Sequence, residues 1–123
     1  MPRKKQSESE KLSEVIIEGI LSKKGHDVVR LNLKELPNAV SDYFILCHGT
    51  SDVQVKAIAD AIIDETLKDS GSKPWHKEGF DNAEWILLDY VDVVVHIFKE
   101  EARVFYNLEK LWADAEIKTF KDR

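Results

Sequence analysis

The residue types from which enzymatic sites are built occur in this sequence as Gly49-Thr50-Ser51, the acids Asp89 and Asp92, and four histidines, His26, His48, His76 and His96. A glycine turn ahead of a helix can receive phosphates, and convergent carboxylates can hold a divalent metal. The first two groups therefore raise nucleotidyl or phosphoryl transfer. Their spacing argues against it. Gly49-Thr50-Ser51 lacks the lysine and glycine pattern of a P-loop. Asp89 and Asp92 flank a turn far along the chain, instead of alternating on a strand soon after the glycine turn. The histidines fall at no helical pair spacing, so His96 reads as a satisfied or interfacial histidine and not a ligand. The one cysteine, Cys47, has no disulfide partner and no local base, and reads as a small core residue. No catalytic, cofactor-binding or metal residue is assigned.

A surface is the stronger signal. Trp85, Leu87 and Asp89 alternate with Ile86, Leu88 and Tyr90, and Val94, His96 and Phe98 alternate with Val93, Val95 and Ile97. A hairpin turning at Val91-Asp92 pairs Tyr90 with Val93, Leu88 with Val95 and Ile86 with Ile97, an almost wholly apolar face that should pack on helices. The opposite face mixes aromatics with an acid and a histidine and reads as a contact surface. The alternative is a cover supplied by the same chain. Val91-Asp92 is poor chemistry for a tight primed turn, which favours Asn-Gly or glycine.

The elements needed to hold this hairpin are legible along the chain. Ser7 and Glu10 have capping-box spacing ahead of Leu12, Val15, Ile16 and Ile20, with Gly25 as the closing residue of a first helix. Asp27 to Leu33 alternates as a strand, and Tyr43 to Cys47 is an apolar run expected of a strand covered on both faces. Ser51 is an N-cap for a helix that Ser70 and Gly71 end. Trp75 and His76 fall on a short extended piece. Val104, Leu108, Leu111 and Trp112 mark one C-terminal helix or two short ones, read as core with a dimer seam as the alternative. The expected architecture is α/β, a single domain with a mixed sheet flanked by helices. A flexible polar N-terminus spans 1–9, the domain 10–114 and a polar tail 115–123.

Length and charge narrow the function classes. At 123 residues, 43% hydrophobic and 33% charged, the chain suits one soluble domain. Its net charge of −5 disfavours nucleic acid as the main contact. Between Phe80 and Glu116 nine acids face three bases, a local −6, so the acidity belongs to the C-terminal third and suits a basic partner. No stretch is long and apolar enough to span a bilayer, and the lone cysteine fits a reducing compartment; the expectation is a cytoplasmic protein without a membrane partner.

Asp42 with Phe44, Gly49-Thr50-Ser51 and Ala57-Ile58-Ala59-Asp60 form one block of motifs. Glu78-Gly79, Trp85, Leu88-Asp89, Val93 to His96, Arg103, Tyr106, Leu108-Glu109 and Leu111-Trp112 form a second. In order and spacing the two resemble the ribosomal silencing factor (Iojap) family from about Leu12 to Trp112. Val91 stands where that family usually carries glycine. The resemblance implies a fold distantly similar to nucleotidyltransferases without their catalytic residues, and a homodimer. It further implies binding to the large ribosomal subunit through large-subunit protein fourteen, a block on subunit joining and repression of translation when nutrients are scarce. Assembly of the large subunit is the neighbouring alternative, and a metal-dependent transferase a weaker one. By carry-over, Trp85 is the anchor, Asp89 and Asp92 face basic side chains, and Glu78, Gly79 and Tyr90 lie at the edge.

Overall fold

Ser7 accepts the Glu10 amide at 3.1 Å and so opens helix α1, Glu8–Ser22, satisfying one of the N–H groups that a helix start leaves free. The computed structural model describes residues 6–123. The stretch expected to be a flexible N-terminus is therefore helical from Glu8, and residues 1–5 lie outside the described residues. At the other end of α1 the left-handed residue is Lys24, φ 61°, and not Gly25. Strands β1, His26–Asn32, and β2, Tyr43–Gly49, follow as an antiparallel pair. Ser51 then caps α2, Asp52–Ser70, by accepting the Gln54 amide, and Gly71 ends it at φ 68°, a conformation that glycine adopts without steric cost.

The second half of the chain comprises β3, His76–Glu78; β4, Trp85–Asp89; β5, Val93–Lys99; two short helices, α3, Glu100–Tyr106, and α4, Leu108–Leu111; and β6, Glu116–Phe120. The sheet order is β3-β4-β5-β2-β1-β6, with β2 and β5 parallel and every other neighbour antiparallel, as expected for a mixed sheet.

Alternation along the strands divides the core in two. Val28, Ile45, Cys47, Ile86, Leu88, Val95 and Ile97 point to the side covered by α1 and α2, where Ile16, Ile20, Val55, Ile58 and Ile62 meet them. Burial pushes the Cys47 thiol up to about 12, so it behaves as the inert core residue its surroundings dictate. Val29, Leu31, Leu46 and Phe98 point the other way, beneath Ala102, Leu108 and Trp112.

Two further expectations differ from the structure. The C-terminal stretch 115–123 contains β6, which pairs antiparallel with β1 from Val28↔Phe120 to Asn32↔Glu116. It reads as a tail because every side chain of this edge strand except the partly buried Phe120 is exposed; its backbone ladder, with Phe120 packed against the helix-side core, holds it in place. Asp122 accepts the Asp27 amide, and Arg123 pairs with Glu18, fastening the end further. Secondly, Val104, Leu108, Leu111 and Trp112 are not one core stripe. Asn107, at φ 47°, breaks the helix between α3 and α4. Periodicity counted across that break describes no single face, and it leaves Val104 and Leu111 in solvent while Leu108 and Trp112 turn inward.

Candidate partner-binding face

The hairpin forms in the expected register, with Ile86 opposite Ile97, Leu88 opposite Val95, and the Tyr90 amide donating to the Val93 carbonyl. Pairing of β3 with β4 sets His76 opposite Asp89 and Glu78 opposite Leu87. Cross-strand partners share a face, so His76, Glu78, Trp85, Leu87 and Asp89 lie on the same side of the sheet as Val94, His96 and Phe98.

That side is divided. The C-terminal segment covers the β5 half: Val94, His96 and Phe98 are buried, which corrects the reading of the whole face as a contact surface. The β4 and β3 half is left open, with Trp85, Leu87 and Asp89 half-buried and His76 and Glu78 exposed. Trp85 sits on the boundary. Its ring is 5.1 Å from Phe98 and 4.7 Å from Tyr106, centroid to centroid, and its Nε1–H donates to Nδ1 of His96 at 3.1 Å. Tyr106 in turn meets Phe105 edge-on at 5.1 Å. A continuous aromatic ridge runs from the buried Phe98 through half-exposed Trp85 and Tyr106 to Phe105, which is 81% exposed.

The remaining expected residues differ in placement. Asp89 Oδ1 accepts the Val91 amide at 2.7 Å and so holds the hairpin turn, where Val91 is forced to φ 75°. Asp92 presents an exposed side chain at the hairpin tip while its carbonyl accepts the Asp42 and Tyr43 amides. Glu78 lies 3.0 Å from His76 Nε2 on the open face. Gly79, at φ 90°, lies so close to the Trp85 carbonyl that a side chain there would collide with it; it sets the backbone from which Trp85 projects. Tyr90 does not belong to the surface. It is 8% exposed, on the α1/α2 side, with its hydroxyl 2.8 Å from that of Thr66. Its alternation with Ile86 and Leu88 directs it inward.

Tyr106 and Phe105 were not singled out as surface residues from sequence, because the direction in which a short helix folds back onto a sheet is not written in its own periodicity. Trp75, 77% exposed, donates its amide to the Asp89 carbonyl at 2.7 Å and adds another solvent-facing aromatic beside the acid. An aromatic set between polar neighbours, with no apolar residue at strand or helix spacing, was the signal available for it.

The geometry gives no support to phosphoryl transfer. The Thr50 amide and hydroxyl both donate to Gln54 Oε1, and Ser51 Oγ receives the Gln54 amide, so this helix start is satisfied by its own side chains. Among the described residues no three of His, Cys, Asp or Glu converge on a possible metal position. A polar cleft of about 740 Å³ elsewhere is lined by His48, Glu100, Arg103 and Glu109. Its buried guanidinium is already committed, with paired bonds to Glu109 and one to His48 Nδ1. Burial first, and then Arg103, keep His48 below the usual histidine range.

The family described as "Ribosomal silencing factor during starvation" matches residues 6–123. A Bacillus subtilis ribosomal silencing factor is 47% identical over 93 residues, 76% of this chain and 77% of the relative. A crystal structure of a Chromobacterium violaceum protein superposes with a TM-score of 0.80 at 34% identity, covering 87% of this chain and 88% of the other. A more distant relative, the mouse "Mitochondrial assembly of ribosomal large subunit protein 1", is 34% identical over 86 residues, 68% of this chain but 36% of its own length.

Proposed function

Because the chain belongs to the ribosomal silencing factor family, whose members are not enzymes, we propose that it acts in the cytoplasm by binding the large ribosomal subunit through the basic large-subunit protein fourteen. Bound there, it blocks joining of the small subunit and lowers translation when nutrients are scarce. The observation that carries this reading is the half-exposed Trp85 and Tyr106 pair, 4.7 Å apart, where α3 meets the open half of the sheet face in the acidic C-terminal third. An aromatic anchor within an acidic surround complements a protein surface rich in Lys and Arg. Asp89 and Glu78 supply acidic charge on the anchor's side of the sheet, and Gly79 supports it from behind; Asp92 adds its charge at the hairpin tip, next to α1 and α2.

The same reading takes the fold as a nucleotidyltransferase-like scaffold used for docking, and the free protein as a homodimer. Sedimentation of purified subunits with and without the protein tests it: the protein should travel with the large subunit and reduce the fraction of joined ribosomes. A second reading, assistance in large-subunit assembly, is favoured by the name of the mouse relative. Depletion of the protein separates the two. Immature large subunits should accumulate if it acts in assembly, whereas mature subunits should join in excess during starvation if it silences.

A further inference from the structure

The Trp85 indole has one polar atom, and that atom is turned inward. Nε1–H donates to Nδ1 of His96 across neighbouring strands, where Leu87 is the direct partner of His96 and Trp85 is two residues away. A ring nitrogen that receives an N–H bond carries no proton, so neutral His96 holds its hydrogen on Nε2. That Nε2 is buried without a hydrogen-bond partner. The imidazole itself is 4% exposed and lies between Phe44, 4.8 Å away, and Phe98, 6.2 Å away.

An apolar residue would fill this slot without leaving an orphaned donor. A histidine here has one evident use within the fold: to accept the indole N–H.

We propose that His96 is a positioning residue for the partner-binding anchor, fixing the Trp85 ring by accepting its N–H so that the indole meets the partner through carbon alone. The inference rests on the reading of Trp85 as the anchor. It adds a statement about what that anchor recognises. With the N–H engaged internally, the exposed part of the ring suits the aliphatic stem of a Lys or Arg, or its cation over the ring, and offers nothing to a partner carbonyl or phosphate. Burial holds the His96 imidazole down to about 4, so the acceptor is neutral and present throughout the physiological range.

The test compares His96→Leu, which removes the acceptor, with His96→Asn, whose Oδ1 can stand in for Nδ1. The first readout needs no ribosome. In a proton–nitrogen NMR spectrum the indole resonance that disappears in Trp85→Phe should exchange slowly with deuterated solvent in the wild type and in His96→Asn, and quickly in His96→Leu. The exposed Trp75 serves as the fast-exchanging reference. The second readout is affinity for purified large subunits. His96→Leu should bind about fivefold more weakly, the effect of one lost ordering hydrogen bond, and His96→Asn within about twofold of wild type.

Fast exchange of the Trp85 N–H in the wild-type protein would overturn the inference whatever the ribosome experiment gives. Wild-type affinity of folded His96→Leu, alongside lost binding by Trp85→Ala, would overturn it while leaving the anchor reading intact. Undiminished binding by Trp85→Ala would instead remove the anchor reading, and the positioning role with it.

Discussion

The hydroxyls of Tyr90 and Thr66 lie 2.8 Å apart beneath α1 and α2, on the opposite side of the sheet from Trp85. Thr66 Oγ1 donates to the Ile62 carbonyl, so the Tyr90 O–H donates to Thr66. Asp89, the last residue of β4, and Tyr90, which follows it, thus serve different ends. Asp89 lies on the open side of the sheet, and Tyr90 ties the hairpin to α2.

Tyr90→Phe should therefore lower stability by about 1 kcal/mol, the usual net value of one buried hydrogen bond, and leave ribosome binding unchanged. Urea denaturation and subunit sedimentation of the same preparation check both halves. A binding defect without a stability defect would return Tyr90 to the surface.

Val91 holds φ 75°, a conformation that a β-branched residue adopts only under strain. Its amide is capped by Asp89 and its carbonyl by the Ser41 hydroxyl at 2.8 Å, so the surrounding bonds enforce it. Val91→Gly should raise stability by about 1 kcal/mol, the relief of left-handed strain less the extra freedom of glycine in the unfolded chain. A shift of the denaturation midpoint to lower urea would contradict this.

Tyr106 is half-exposed and stacks on Trp85 at 4.7 Å with the rings tilted by 48°. Tyr106→Ala should leave the fold intact and weaken binding to the large subunit by about 1 kcal/mol, the worth of one aromatic pair. Isothermal titration against purified large subunits measures the change. Unaltered affinity would confine the contact to Trp85.

His96 gives stability a definite pH dependence. Unfolded, it takes up a proton near 6.5; folded, burial holds it down to about 4. Between those values the unfolded chain binds more protons. The contribution is complete above pH 6.5 and is lost as pH falls toward 4, by roughly 3 kcal/mol in all. Urea midpoints at pH 7 and pH 4.5 should differ markedly in the wild type and less in His96→Asn. Equal differences in the two proteins would assign the acid sensitivity elsewhere.

How much of this was legible in the sequence follows the range of the forces involved. Caps at Ser7 and Ser51, the glycine end at Gly71 and the pairing of Ile86 with Ile97 depend on neighbouring residues, and all were readable. The cover over His96 and Phe98 was not, because it depends on how α3 and α4 fold back around Asn107. Strand β6 was missed for a related reason: its backbone hydrogen bonds are non-local, while its side chains are those of a solvated tail. Tyr90 shows the reverse. Its alternation pointed inward, and motif carry-over placed it at the surface instead.

The proposed function makes Trp85 the anchor of this chain on the large ribosomal subunit. Its most direct test is co-sedimentation of purified large subunits with wild-type protein and with Trp85→Ala, circular dichroism having shown the variant folded. Wild-type protein should travel with the large subunit, and the variant should lose about 2 kcal/mol of binding, roughly thirtyfold in affinity. Equal recovery of both proteins in the large-subunit fraction would contradict it.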